Sequence, residues 1–528
     1  MNEPAGTDTP WDSSQYLRAI LRAPVYEAAE HTPLQRMDSL SARLGCEVAA
    51  KREDLQSVHS FKIRGAYTCM RMLSDDERAR GVVTASAGNH AQGVARSAAL
   101  LGCRALIVMP TVTPRIKVDA VAALGGEVLL HGENFDAAKA EAQRLADEDG
   151  LTYVAPFDDP RVIAGQGTIG LEIIQQDAGL DRVFVPVGGG GLASGIAVLI
   201  KQLLPNVRVI GVEHEESACL SAAIAEGEPV TLGRVGLFAE GVAVRRIGDE
   251  TYRLCSELLD DVITVSSDEV SAAVKDLFED LRAISEPSGA VALAGLKRYA
   301  LEHRLTGERL ACVVSGANLN FHQLRYISER AEIGEQREAI LGVTIPEERG
   351  SFLRFARILG GRSVTEFNYR VAAGSDGSLE SGPARIFVGV GLSRGREERA
   401  EIVADLEKAG YGVVDLTDDE LAKVHVRSMI GGRAPAGVAE RLFSFEFPES
   451  PGALVHFLEV LGTRWNVTLF HYRTDGADYG RILCAFQVGQ RGLSPEAEAR
   501  ELREHMDRLG YAYHEETEDP AAGFFLAR

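Results

Sequence analysis

Lys62 lies in the octapeptide Ser60-Phe61-Lys62-Ile63-Arg64-Gly65-Ala66-Tyr67. Taken alone, a lysine between two apolar residues reads as a surface side chain with its stem laid along apolar neighbours. Loops further along reverse that reading. Gly188-Gly189-Gly190-Gly191-Leu192 follows an apolar strand and opens an apolar helix. Glycines let the backbone turn successive N–H groups inward, and a helix N-terminus adds positive potential, so this run suits a phosphate. No Gly-Lys-Ser/Thr follows it, which excludes a Walker loop. There is also no Gly-x-Gly-x-x-Gly with an acidic residue about 20 positions on. A phosphorylated group smaller than a nucleotide fits best. A flexible glycine linker fits poorly, because apolar elements abut both ends.

Ser86-Ala87-Gly88-Asn89-His90 occupies another strand-to-helix junction. Its amides, with the Ser86 and Asn89 side chains, suit a carboxylate or a polar ring substituent. The alternative is that Ser86 or Asn89 only caps the following helix. His90 by itself reads as a structural residue before it reads as a base. Ser315-Gly316-Ala317-Asn318 closes a further apolar strand. In parallel sheets, ligands gather at the carboxyl ends of strands. These loops and Lys62 therefore converge on one crevice, as a lysine bonded to a phosphorylated aldehyde would require.

The elements that must hold these residues alternate. Strands are expected at Val82–Thr84, Ala105–Met109, Glu127–His131, Tyr153–Ala155, Arg182–Val187, Val207–Val212 and Leu310–Val314. Helices are expected at Ser14–Leu21, Ala91–Leu101, Thr113–Leu124, Phe135–Asp149, Gly165–Gln176 and Ala193–Leu204, and over 268–304 with an interruption at Glu286–Ala290. Apolar strands alternating with helices imply parallel sheets covered on both faces. Ser328–Glu338 is polar and reads as a helical connector.

Composition bounds the rest. At 528 residues the chain is too long for one core. A net charge of -21 argues against a nucleic-acid or anionic-membrane surface. It leaves room for a small anion held by local donors. Seven scattered cysteines without a Cys-x-x-Cys pair favour reduced thiols and a cytoplasmic protein over disulfides or a zinc site. No secretory signal or membrane-length apolar stretch is visible.

Past residue 340 the chain repeats itself. Pro346-Glu347, Gly350, Phe352, Phe355, Leu359 and Gly360 recur as Pro448-Glu449, Gly452, Leu454, Phe457, Leu461 and Gly462. With one residue inserted, Phe367-Asn368-Tyr369-Arg370 recurs as Phe470-His471-Tyr472-Arg473. Arg385-Ile386 then matches Arg481-Ile482, and Gly410-Tyr411 matches Gly510-Tyr511. Each unit reads strand, helix, strand, strand, helix, strand, which implies a pair of ferredoxin-like βαββαβ modules.

The motifs Ser-Phe-Lys-Ile-Arg-Gly-Ala, Ala-Ser-Ala-Gly-Asn-His-Ala-Gln-Gly, Gly-Gly-Gly-Gly-Leu-Ala-Ser-Gly and Ser-Gly-Ala-Asn are specific as a set. Through them the chain resembles the pyridoxal-phosphate enzymes of the tryptophan-synthase-β type (fold type II), and within these the biosynthetic threonine dehydratase family. The resemblance covers nearly the whole chain. It implies an α/β fold with two open parallel-sheet subdomains, followed by the paired ACT-like regulatory modules. The implied boundaries are a catalytic domain at 1–327, a connector at 328–338, a first module at 339–420, a linker at 421–438 and a second module at 439–528.

It also implies roles. Lys62, preceded by Phe61 against the cofactor, would carry pyridoxal 5'-phosphate as an internal aldimine and later take the substrate Cα proton. Gly188, Gly189, Gly190, Gly191 and the Leu192 amide would hold the phosphate. Asn89 would hydrogen-bond the phenolic oxygen. Ser86, Ala87, Gly88 and His90 lie where the family binds the substrate carboxylate. Ser315 would face the pyridine nitrogen, and a neutral partner there favours elimination over racemisation. Ser86 matches the opposite-face serine of related racemases, a role not expected here. The implied reaction is that of a threonine ammonia-lyase, which converts L-threonine to 2-oxobutanoate and ammonia and so opens isoleucine biosynthesis.

The paired modules imply inhibition by isoleucine, relief by valine and a homotetramer. Tyr369 and Tyr472 stand at the family's effector-sensitive aromatic positions; as core strand residues they would need no such role. Glu213 and Glu240 lie in segments resembling a cation site of the racemases, but surface carboxylates are the expectation and no metal is assigned. A rival in the same class is a serine/threonine dehydratase or racemase under other regulation. A rival of another class is a non-catalytic amino-acid sensor, against which Lys62, Asn89 and Ser315 argue.

Overall fold

Short apolar runs rich in Val, Ile and Ala build the strands of the first unit, Met1–Asn320. In this computed structural model they are β1 Leu34–Arg36, β2 Glu47–Arg52, β3 Val82–Ala85, β4 Ala105–Met109, β5 Glu127–Leu130, β6 Thr152–Tyr153, β7 Arg182–Pro186, β8 Arg208–His214, β9 Asp261–Val265 and β10 Arg309–Val314. The structure describes residues 10–345, 351–360, 362, 364–370, 384–428, 439–448, 465, 467–473, 479–488 and 494–526. One sheet runs β5-β4-β3-β6 and a larger one β1-β2-β10-β7-β8-β9. Every neighbouring pair is parallel except β1 with β2. Helices Pro160–Gln176 and Gly191–Leu203 pack on one face of the larger sheet. Helix Pro287–Glu302 covers the other, where Tyr299 meets Phe184 edge-on at 5.6 Å. Cover on both faces explains why β7 and β10 are apolar throughout rather than alternating.

Several boundaries move, each for a local reason. The helix expected from Gly165 begins at Pro160, because Asp159 caps it by accepting from the Arg161 amide and Pro160 takes the first turn. The helix expected from Thr113 begins at Arg115, after Pro114. The 268–304 stretch divides into Ser267–Leu281 and Pro287–Glu302; the break falls at 282–286, ahead of the interruption expected at Glu286–Ala290, because Pro287 takes the first turn of the second helix. The connector expected at Ser328–Glu338 is instead the helix Gln323–Gly334, and Glu338 already opens a strand. β9, a strand not expected, lies alongside β8 and parallel to it.

The second unit, Phe321–Arg528, contains two four-stranded antiparallel sheets. The strands of the first are β11 Glu338–Ile345, β12 Val364–Arg370, β13 Ala384–Gly391 and β14 Gly412–Asp415, in the order β12-β13-β11-β14. Those of the second are β15 Ala439–Pro448, β16 Val467–Arg473, β17 Tyr479–Val488 and β18 Tyr513–Glu515, in the matching order β16-β17-β15-β18. The repeat extends to irregularities. The β12–β13 register slips between Val364 and Glu366, and the β16–β17 register slips between Val467 and Leu469. Tyr369 pairs with Ile386 and Tyr472 with Ile482. One further core, with Leu442 and Leu483 from one sheet and Ile340 and Phe387 from the other, joins the modules.

Candidate active site

Helix Lys62–Arg71 starts on the lysine. It is pressed against helix Pro160–Gln176 through glycines. A Cβ on Gly65 would lie 2.4 Å from Gln166, and one on Gly165 would lie 2.6 Å from the Arg64 carbonyl. Arg64, wholly buried, donates to Glu53 and Glu172, and Lys51 also donates to Glu172; all four side chains are out of solvent. The segment before the helix is stitched to the Ser315 loop. The Phe61 amide donates to the Ser315 carbonyl at 3.1 Å, and the Ala317 amide to the His59 carbonyl at 2.8 Å.

Lys62 Nζ donates to the Pro156 carbonyl at 2.7 Å. Burial pushes its pKa down to about 8. The next residue, Phe157, packs against the glycine run: a Cβ on Gly189 would sit 2.2 Å from its ring, and one on Gly191 would sit 2.9 Å from its carbonyl. The loop after β6, at Pro156–Phe157, thus brings the lysine and the glycine loop together. Within the loop, Gly190 has φ +87°, in the region open to glycine. The loop carbonyls are engaged from behind. Thr251 Oγ1 donates to Gly189 O at 2.7 Å, and Cys219 Sγ to Gly188 O at 3.4 Å. No side chain caps helix Gly191–Leu203, although its N-terminus is buried. A buried, uncapped N-terminus in a loop that excludes Cβ atoms could hold the phosphate of pyridoxal phosphate, and Lys62 could supply an amine for its aldehyde. The residues fit that group.

Asn89 begins helix Asn89–Leu101. Its Nδ2 donates to Glu286 Oε1 at 2.6 Å, and its Oδ1 accepts from Asn318 Nδ2 at 2.7 Å. Burial raises Glu286 to about 7, against the Asn89 bond that lowers it. Ser315 Oγ, buried, donates to the Ser288 carbonyl at 3.2 Å. Ser86, Ala87 and Gly88 lie half-buried in the turn before the helix, where Ser86 Oγ accepts from the Gly88 amide at 3.3 Å. No side chain caps this helix either, so neither Ser86 nor Asn89 is its cap. The His90 ring is turned into the core, with Nε2 3.0 Å from the Val154 carbonyl. Burial, then the nearby Lys62 charge, drives its pKa down to about 3, so it is a neutral structural ring. Glu286 is a site residue that sequence reasoning passed over as part of a helix break. Its burial, which only the fold creates, is what marks it.

Two expectations are corrected or fall elsewhere. Glu213 is not a surface carboxylate but wholly buried, accepting from the amides of Leu220 and Ser221 at 2.7 and 2.8 Å and from Ser221 Oγ at 2.6 Å. Glu240 pairs with Lys117 at 2.5 Å. Among the described residues, no group of three or more His, Cys, Asp and Glu side chains could hold a metal ion. Tyr369 and Tyr472 lie on strands of the second unit, and their side chains are outside the described part of the structure.

Comparison with known proteins agrees with this geometry. Residues 25–316 match the family described as pyridoxal-phosphate dependent enzyme. Residues 329–426 and 432–526 each match the C-terminal regulatory domain of threonine dehydratase. The chain is 64% identical to the biosynthetic L-threonine dehydratase of Escherichia coli (strain K12), over 98% of each chain. It is 44% identical to the mitochondrial threonine dehydratase of Saccharomyces cerevisiae, over 98% of this chain and 90% of the relative. Among solved structures, the processed form of threonine deaminase isoform 2 from Solanum lycopersicum superposes with a TM-score of 0.60 at 49% identity, covering 62% of this chain and 96% of that one. Maize serine racemase gives a TM-score of 0.56 at 32% identity, covering 59% and 95%. The fold and site are those of a pyridoxal-phosphate-dependent lyase, and the chain belongs to the biosynthetic threonine dehydratases, with their C-terminal regulatory domain.

Proposed function

We propose that this chain converts L-threonine to 2-oxobutanoate and ammonia with Lys62 as its catalytic residue. The observation that carries this reading is the placing of the half-buried Lys62 amine beside Pro156, whose neighbour Phe157 packs against Gly189 and Gly191. Bound here, pyridoxal phosphate supplies an electron sink for the pair left at the substrate Cα. Phe61 and Lys62 would hold the ring end of the cofactor, and Gly188 to Leu192 its phosphate. Asn89 would donate to its phenolic oxygen, and Ser315 would serve its ring nitrogen. The backbone of Ser86, Ala87, Gly88 and His90, at an uncapped helix N-terminus, orients the threonine carboxylate. The freed Lys62 amine, its basicity lowered by burial, takes the Cα proton. The β-hydroxyl leaves with a proton as water, and a water then adds to the released enamine, through its imine form, expelling ammonia and giving the carbonyl of 2-oxobutanoate. Lys62→Ala should reduce threonine turnover by at least about a thousandfold and abolish the visible absorbance of the bound cofactor. Full turnover by that variant would overturn the assignment.

Regulation belongs to the second unit. Isoleucine inhibits through the paired modules, valine relieves the inhibition, and Tyr369 and Tyr472 contact the effectors. The support is the duplicated module and its match to the family's regulatory domain. Threonine saturation curves with millimolar isoleucine, with and without valine, test this; curves that coincide would refute it. The protein is a cytoplasmic homotetramer in this reading. The unpaired cysteines, most of them buried, agree with a reducing compartment, and sedimentation of the holoenzyme checks the assembly.

A further inference from the structure

An asparagine amide has two ends of nearly equal shape and opposite chemistry. Which end faces an anionic oxygen decides whether Asn89 attracts or repels it. That choice is made by its neighbours. The Val58 carbonyl can only accept, and Asn318 Nδ2 lies 2.8 Å from it. That end of Asn318 must therefore be its NH2 group. The same nitrogen lies 2.7 Å from Asn89 Oδ1, so its second hydrogen meets an acceptor. Turning Asn89 over would set two NH2 groups against each other. The far end of Asn89 is then its nitrogen, which spends one N–H on Glu286 Oε1 at 2.6 Å. One N–H remains.

We propose that Val58, Asn318 and Glu286 form a relay of hydrogen-bond polarity that locks the Asn89 amide, leaving an N–H for the phenolic oxygen of pyridoxal phosphate. Asn318 and Glu286 are positioning residues that act through Asn89. The relay begins at a backbone carbonyl on the lysine segment, so one rigid group sets the polarity for three separate parts of the chain. It rests on the role given to Asn89 above.

The test is a double-mutant cycle read as the pyridoxal-phosphate dissociation constant of reconstituted apoprotein, with thermal unfolding of the apoprotein followed in parallel. Asn318→Asp keeps shape and replaces two donors by acceptors. It should weaken cofactor binding about tenfold, the scale of one lost hydrogen bond to a charged group. In an Asn89→Ala background the same change should cost less than about twofold. An equal loss in both backgrounds would show that Asn318 supports the fold and would overturn the relay. If Asn318→Asp does not fold, Asn318→Ala in the two backgrounds is judged by the same comparison. Glu286→Leu should weaken binding severalfold and Glu286→Gln, which keeps an acceptor, should restore most of it; equal losses count against the relay. Wild type that takes up no pyridoxal phosphate overturns the site reading itself, whereas tight wild-type binding with Asn318→Asp unchanged overturns the relay alone.

Discussion

Lys62 is an amine whose burial holds its pKa near about 8. A lowered value means that the neutral, nucleophilic form grows as pH rises through 8 and is nearly complete above it. Uptake of pyridoxal phosphate by apoprotein requires that form. Its second-order rate should therefore climb from pH 6.5 and level off with an apparent pKa of about 8. A rate that still rises steeply at pH 10, where an ordinary lysine titrates, would show that the amine is not desolvated. His90 contributes nothing to this profile, because burial keeps it neutral across the range.

At the scale of elements, helix Lys62–Arg71 and the glycine loop place the chemistry, and each is held by something costly to disturb. Arg64 anchors the helix through Glu53 and Glu172, all wholly buried. Removing one partner strands a charge without solvent. Arg64→Met should lower resistance to urea by about 3–5 kcal/mol in the first unit, with cofactor affinity reduced as the helix shifts. In the glycine loop, a Cβ on Gly190 would meet Thr251 Cβ at 2.8 Å, at a φ of +87°. Gly190→Ala should cost about 1–3 kcal/mol of stability and release the cofactor on dialysis. Apoprotein melting curves together with retained visible absorbance would check both effects. An alanine variant that melts and binds as the wild type does would mean the loop can relax.

Across the whole molecule, the second unit carries a charged node. Glu420 accepts from Arg330 at 2.7 and 2.8 Å and from Arg481 at 2.7 Å, and both guanidinium groups lie against Tyr326. Burial would raise Glu420, but Arg330 and then Arg481 more than reverse this and hold it far below the usual carboxylate range. Tyr326 and Arg330 lie on helix Gln323–Gly334, Glu420 opens helix Glu420–Val424 after β14, and Arg481 is on β17. The node thus ties both modules to the helix that follows the catalytic unit in sequence. Glu420→Ala should raise the isoleucine concentration for half-inhibition severalfold and leave turnover of saturating threonine unchanged. An unaltered inhibition curve would show that the node is structural only.

The alternation of apolar strands and helices, the three loops at strand ends and the repeat were legible because each rests on local chemistry. Parallel strands covered on both faces must be apolar throughout, a loop next to a close-packed wall must be glycine, and duplicated modules keep the same strand order and pairings, down to matching slips at Val364 and Val467. β9, the true start of the Pro160 helix and the bounds of the connector helix were missed, because capping and edge pairing depend on a few residues with weak periodicity.

What the sequence by itself determined was which residues could hold a phosphorylated aldehyde, and in what order along the chain. Only the tertiary structure decided that Glu286 and Asn318 grip Asn89 from opposite ends, that the His90 ring is buried and neutral, and that Glu213 is an internal cap. Those outcomes depend on groups brought together from distant parts of the chain. Hydrogen-bond polarity and burial are properties of the assembled neighbourhood, and no residue type or spacing encodes them locally.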